Sequence, residues 1–128
     1  MRFYLINENG GQVIDIENNN KEINKALGWS DAWNTPNINV NGEEYIAICS
    51  DTGKIRHEKV SALGINNLLS PKKELREPFL VGAIIITKFD GIDDFTGLND
   101  EDIENIESSM ACIGKEGRDF YENILILD

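Results

Sequence analysis

Apolar positions are densest in Phe79-Leu80-Val81-Gly82-Ala83-Ile84-Ile85-Ile86-Thr87, which is followed by a polar connection and an acidic helix. A run this apolar, punctuated at both ends, predicts one strand buried on both faces. The rest of the chain has to cover it. Residues 2–6 predict a short strand, Asn9-Gly10-Gly11 a turn and 12–16 the returning strand. Asn19 and Glu22 have capping-box spacing, Ile23, Ala26 and Leu27 form an apolar stripe, and Gly28 suits the helix stop. Asn41-Gly42, the preferred type I′ pair, lies between Ile38-Asn39-Val40 and Glu44–Cys49, the clearest hairpin in the chain.

Val60 to Leu69 reads as a short helix, and Ser70 to Glu77, with Pro71, as a surface connection. Asn99 then caps a helix whose first turn carries Asp100, Glu101 and Asp102, where the helix dipole favours negative charge. Ile103, Ile106, Met110 and Ile113 recur at three- and four-residue steps as its buried stripe, and Gly114 ends it. Phe120 to Leu127 is a last strand. These elements predict an α+β domain over residues 1–128: a mostly antiparallel sheet with two or three helices packed on it.

The 128 residues are enough to bury a core without disulfides or metals, and no stretch approaches a membrane span. The start reads as too short and too soon polar for a signal peptide, so the expectation is a protein of the cytoplasm of the cell that makes it. Cys49 and Cys112 are expected as reduced, buried thiols. Charge changes the picture more. The net charge is −11, yet residues 1–88 hold 11 acids and 10 bases, whereas residues 89–128 hold 12 acids against Lys115 and Arg118. A field of that sign repels phosphate backbones and attracts basic protein surfaces. The plainer explanation is solubility.

Candidate chemistry is thin. Asp51-Thr52-Gly53 resembles an aspartic-protease triplet, but Lys54 follows it, and one copy would need a homodimer to pair its carboxylate. An Asp-Gly turn explains it more cheaply. The carboxylates from Asp90 to Asp102 miss the calcium-loop register, because Ile92 and Phe95 fall at ligand and glycine positions. His57 is the lone histidine, and no metal, cofactor or nucleotide motif is present. Trp29 and Trp33 share one loop, which makes them either lids on the core or ligand contacts together with Lys54 and Arg56.

Three stretches carry a family resemblance: the opening strand, turn and return strand; Glu44-Tyr45-Ile46-Ala47-Ile48-Cys49-Ser50-Asp51-Thr52-Gly53-Lys54; and Glu77-Pro78-Phe79 through Ile86, continuing over Phe95 to Ile103. Over residues 1–107 the chain resembles small uncharacterised proteins of phages, prophages and plasmids, of the domain of unknown function 3846 type. Residues 108–128 are then a C-terminal extension. The resemblance implies a mobile-element accessory protein in a bacterial host cell, of the kind that inhibits host defence, anti-CRISPR proteins included. The expectation is therefore a non-enzymatic binder without cofactor or metal. Asp90, Asp93, Asp94, Asp100, Glu101, Glu104 and Glu107 would meet a basic host nuclease or effector in place of nucleic acid. The alternative is a small-ligand binder that sequesters a signalling nucleotide through Trp29, Trp33, Lys54 and Arg56, with a homodimer left open.

Overall fold

The structure is a computed structural model of the chain. It describes all residues except 55, 57, 70–76, 92–93 and 113–118, and the side chains of 68 and 69. The order is β1 (Arg2–Asn7), β2 (Gly10–Asp15), α1 (Asn20–Leu27), β3 (Trp33–Asn34), β4 (Asn37–Val40), β5 (Glu43–Ser50), β6 (Val60–Gly64), α2 (Ile65–Leu69), β7 (Phe79–Val81), β8 (Ile84–Phe89), β9 (Phe95–Thr96), α3 (Asp100–Ser108), β10 (Met110–Cys112) and β11 (Phe120–Leu127). The fold is α+β, with a mostly antiparallel main sheet, as the pattern of elements predicts. A second sheet was not foreseen.

The main sheet has seven strands in the order β2-β1-β8-β5-β3, with β4 also on β5 and β9 also on β8. Its centre is β8, buried on both faces as expected. Ile84 and Ile86 point into one apolar layer with Tyr4, Tyr45, Ile103 and Ile106, and Ile85 points into the other with Phe3, Leu5, Ile23 and Leu27. Strand alternation thus sends successive isoleucines to opposite layers. Each such side chain, fully buried, contributes roughly 1.5–3 kcal/mol. One layer lies under α1; the other lies under α3 and the second sheet, whose order is β10-β11-β6-β7 with β6 and β11 parallel.

Local signals set most boundaries. Asn19 caps α1 by accepting from the Glu22 N–H at 2.8 Å, and Gly28 closes it in the left-handed region. Asn41 (φ 51°) and Gly42 (φ 82°) form the turn between β4 and β5, both at the positive φ of a type I′ turn. Asp128 holds that turn, its carboxylate accepting from the Asn41 and Gly42 N–H groups at 2.9 and 2.7 Å. The first hairpin also forms, but it turns at Glu8-Asn9, because Asn7 already pairs with Gly10.

Four further expectations need correction. The apolar run from Phe79 to Thr87 is two strands in different sheets, broken at Gly82. Gly82 takes φ +71°, and a Cβ there would meet the Glu58 carboxylate. Val60–Gly64 is a fully buried strand rather than helix, because it sits between β11 and β7; only Ile65–Leu69 is helical. The last helix ends at Ser108, and Met110 belongs to β10 paired with Leu125. The expected Ile113 and Gly114 stop, like the connection over 70–76, lies outside the described residues. Cys112 is exposed on β10, and Cys49 alone is a buried thiol.

Candidate functional site

Helix α3 divides its carboxylates between two faces. At 100° per residue, Asp100, Glu101, Glu104 and Glu107 fall on one arc, and Asp102, Ile103 and Ile106 on the opposite one. Burial follows that division: the first four are exposed and the last three buried. Arg2 pairs with Asp100 at 2.6 Å, and no ion pair to Glu101, Glu104 or Glu107 is found among the described residues. The structure thus brings together four of the seven carboxylates expected at a partner surface. Asp90 and Asp94 sit apart on the β8–β9 turn, where Asp94 accepts from the Asn18 amide at 2.6 Å. Asp93 lies outside the described residues.

Asp102, left out of the expected site, fixes how that face is presented. Its side chain is 8% exposed and pairs with Lys88 of β8 at 2.7 Å. It accepts from the Tyr45 hydroxyl at 3.2 Å and from the Asn99 N–H at 3.1 Å, completing a reciprocal capping box. Asn105, one turn on, donates to the Tyr45 hydroxyl and to the Val40 carbonyl, both at 3.0 Å. Burial pushes the Asp102 carboxyl up, but the Lys88 ammonium, the Asn99 N–H and the Tyr45 hydroxyl outweigh it and hold the carboxyl below its ordinary value. The same bond to Asp102 raises Lys88 against its own burial. The far end of α3 is tied down by Asn41, whose amide reaches Ser109 Oγ at 2.7 Å and Ser108 Oγ at 3.1 Å. Asp102 could have been suspected from sequence, since it stands at the N3 position after Asn99.

The alternative ligand site divides as well. Both tryptophans fold inward onto the layer under α1, Trp29 donating to the Ala83 carbonyl at 3.3 Å and Trp33 to Asn24 Oδ1 at 2.8 Å. Lys54 instead lines a cleft of about 430 Å³ between the β3–β5 edge and β7, and neither tryptophan reaches it. Arg56 is engaged by Asp31 at 2.6 Å and Glu58 at 3.1 Å. Cys49 also borders this cleft. Burial pushes its thiol up to about 11, so it is protonated and poorly nucleophilic at neutral pH. His57 lies outside the described residues. Among the described residues no cluster of His, Cys, Asp and Glu could hold a metal, and no helix is long and apolar enough to cross a membrane.

No family model, curated protein or solved structure matches the chain.

Proposed function

We propose that this protein is a non-enzymatic binding protein whose α3 face engages a basic surface on a partner. The observation that carries the reading is the co-facial exposure of Asp100, Glu101, Glu104 and Glu107 on a helix mounted from its other side. Side chains at three- and four-residue steps stand roughly 5–6 Å apart at Cβ, so the helix displays a regular ladder of anionic groups. Such a ladder suits a groove lined with Lys and Arg, the kind of surface that holds nucleic acid. If the chain is a mobile-element protein, as the resemblance implies, the partner would be a host nuclease or defence effector, held off its substrate.

The test has two stages. The protein is used as bait in bacterial lysate, and the purified partner is then titrated against it by calorimetry. Affinity should fall by about tenfold or more between roughly 0.05 and 0.3 M salt, as expected for exposed charges that salt screens. The variant Asp100→Asn/Glu101→Gln/Glu104→Gln/Glu107→Gln should lose most of the binding at low salt. Salt-independent affinity, or full binding by that variant, overturns the reading.

A further inference from the structure

The cleft beside Lys54 stands apart from the α3 face and has its own chemistry. Its volume falls within the roughly 300–1,000 Å³ typical of small-ligand sites. Its apolar lining comes from Pro36 and from Leu80 and Val81 of β7. The β3–β5 side is tied together: the Asp51 N–H donates to the Ala32 carbonyl at 2.9 Å, and Cys49 Sγ donates to the Asn34 carbonyl at 3.6 Å. Gly53 packs so closely on Val81 that a Cβ would stand 3.0 Å from its methyl group.

The charges in the cleft are unequally committed. Lys54 is bonded to Glu77, and its ammonium sits 4.0 Å from the centre of the Phe79 ring. The cleft's cation is therefore already satisfied by a carboxylate and an aromatic face. The Asp51 carboxylate makes no hydrogen bond or ion pair among the described residues, and it borders the same space. Among the described residues, two carboxylates against one engaged ammonium give the lining a net negative charge. A phosphate-bearing ligand would have to displace Glu77 and face Asp51 as well, which disfavours the nucleotide that Lys54 and Arg56 first suggest.

We propose that this cleft binds a small organic cation, a primary ammonium on a short aliphatic chain. The ammonium sits on the Asp51 carboxylate, and the chain lies against Pro36, Leu80 and Val81. Titrating the full chain with n-butylammonium chloride, followed by amide NMR shifts, tests it. Saturable shifts confined to residues around Cys49–Lys54 and Leu80–Val81 are expected, with none from sodium butyrate or inorganic pyrophosphate. Because Asp51 is exposed, Asp51→Asn should fold normally and weaken n-butylammonium binding about fivefold, the upper range for a solvent-accessible ion pair. Glu101→Gln, which removes equal charge from α3, should leave the binding unchanged. Shifts spread over the acidic surface, equal binding of pyrophosphate, no binding at all, or an unaffected Asp51→Asn would overturn the proposal.

Discussion

The Lys88–Asp102 pair can be separated experimentally from the outward face that it mounts. Lys88→Met removes the ammonium and leaves a carboxylate only 8% exposed, whereas Lys88 itself is 31% exposed. Stranding one charge of a fully buried pair costs about 3–5 kcal/mol, and the partial opening at Lys88 brings the expected loss to about 2–3 kcal/mol. Asp102→Asn keeps an acceptor oxygen for the Asn99 N–H, which bonds one carboxylate oxygen. It puts an amide NH2 where the other accepts from the Tyr45 hydroxyl, which can turn to accept from it. It also strands Lys88, which water can reach. Its loss should be smaller, about 1–2 kcal/mol. The double variant should cost less than the two singles together, because neither leaves an isolated charge when both are changed. Urea unfolding with an unchanged slope is the assay.

The pH dependence supplies an independent check. Asp102 titrates below its ordinary value of 3.8 in the folded protein, so its contribution is complete above about pH 4 and is lost as pH falls through the lower folded value. Lys88 is raised above 10.5, so its contribution is complete below that pH and is lost as pH rises through the folded value. The stability difference between wild type and Asp102→Asn should therefore be constant from about pH 5 to 9 and shrink below pH 4. A Lys88→Met loss under about 0.5 kcal/mol, the size of an ordinary surface substitution, would refute the account of α3 docking. So would a wild-type advantage over Asp102→Asn that stays unchanged down to pH 2.

Thiol labelling of the native protein should modify Cys112 quickly and leave Cys49 unreacted at pH 8, with the second thiol appearing only in denaturant. Two equally fast thiols would contradict the packing of β5 against the second sheet. Glu107→Lys places a cation in the last turn of α3, where none now stands, and should stabilise the fold by about 0.5 kcal/mol while weakening partner binding. Destabilisation by this change would show that Glu107 has a structural role that the face-by-face division misses.

The sequence carried the local features and missed those decided between distant segments. The Asn41-Gly42 turn, the Asn19 and Asn99 caps and the Gly28 stop depend on residues within one turn of each other, and all are in place. Gly82 looked like one small residue in an apolar strand. Its role as the break between two sheets rests on its φ of +71°, and the Glu58 carboxylate, twenty-four positions earlier, lies in the space beside it. Val60–Gly64 has weak helical spacing and became a strand because β11, at the far end of the chain, offers it parallel pairing. The candidate surface was legible for the same local reason: helical periodicity places Glu101, Glu104 and Glu107 outside once Ile103 and Ile106 are inside. The N3 position of Asp102 could be read beside Asn99, but its burial and pairing could not, because its partners Lys88 and Tyr45 come from other strands.

Solubility alone does not account for where the acids of α3 stand. Neutralising the four outward carboxylates of a −11 protein would still leave −7, within the roughly 2–8 charges that keep a small domain soluble. Nor does helix stability ask for them beyond the first turn. Glu101, Glu104 and Glu107 are like charges at three-residue steps, each neighbouring pair opposing the helix by a few tenths of a kcal/mol. Glu107 adds a negative charge at the dipole's negative end, with no basic residue in the last turn to offset it. Asp100 gains from the first turn and from Arg2, and Asp102 from its buried partners. Glu104 and Glu107 gain from neither source. On the proposed reading, a helix that keeps them, and is fastened at both ends so that they face outward together, presents its charge to a second molecule.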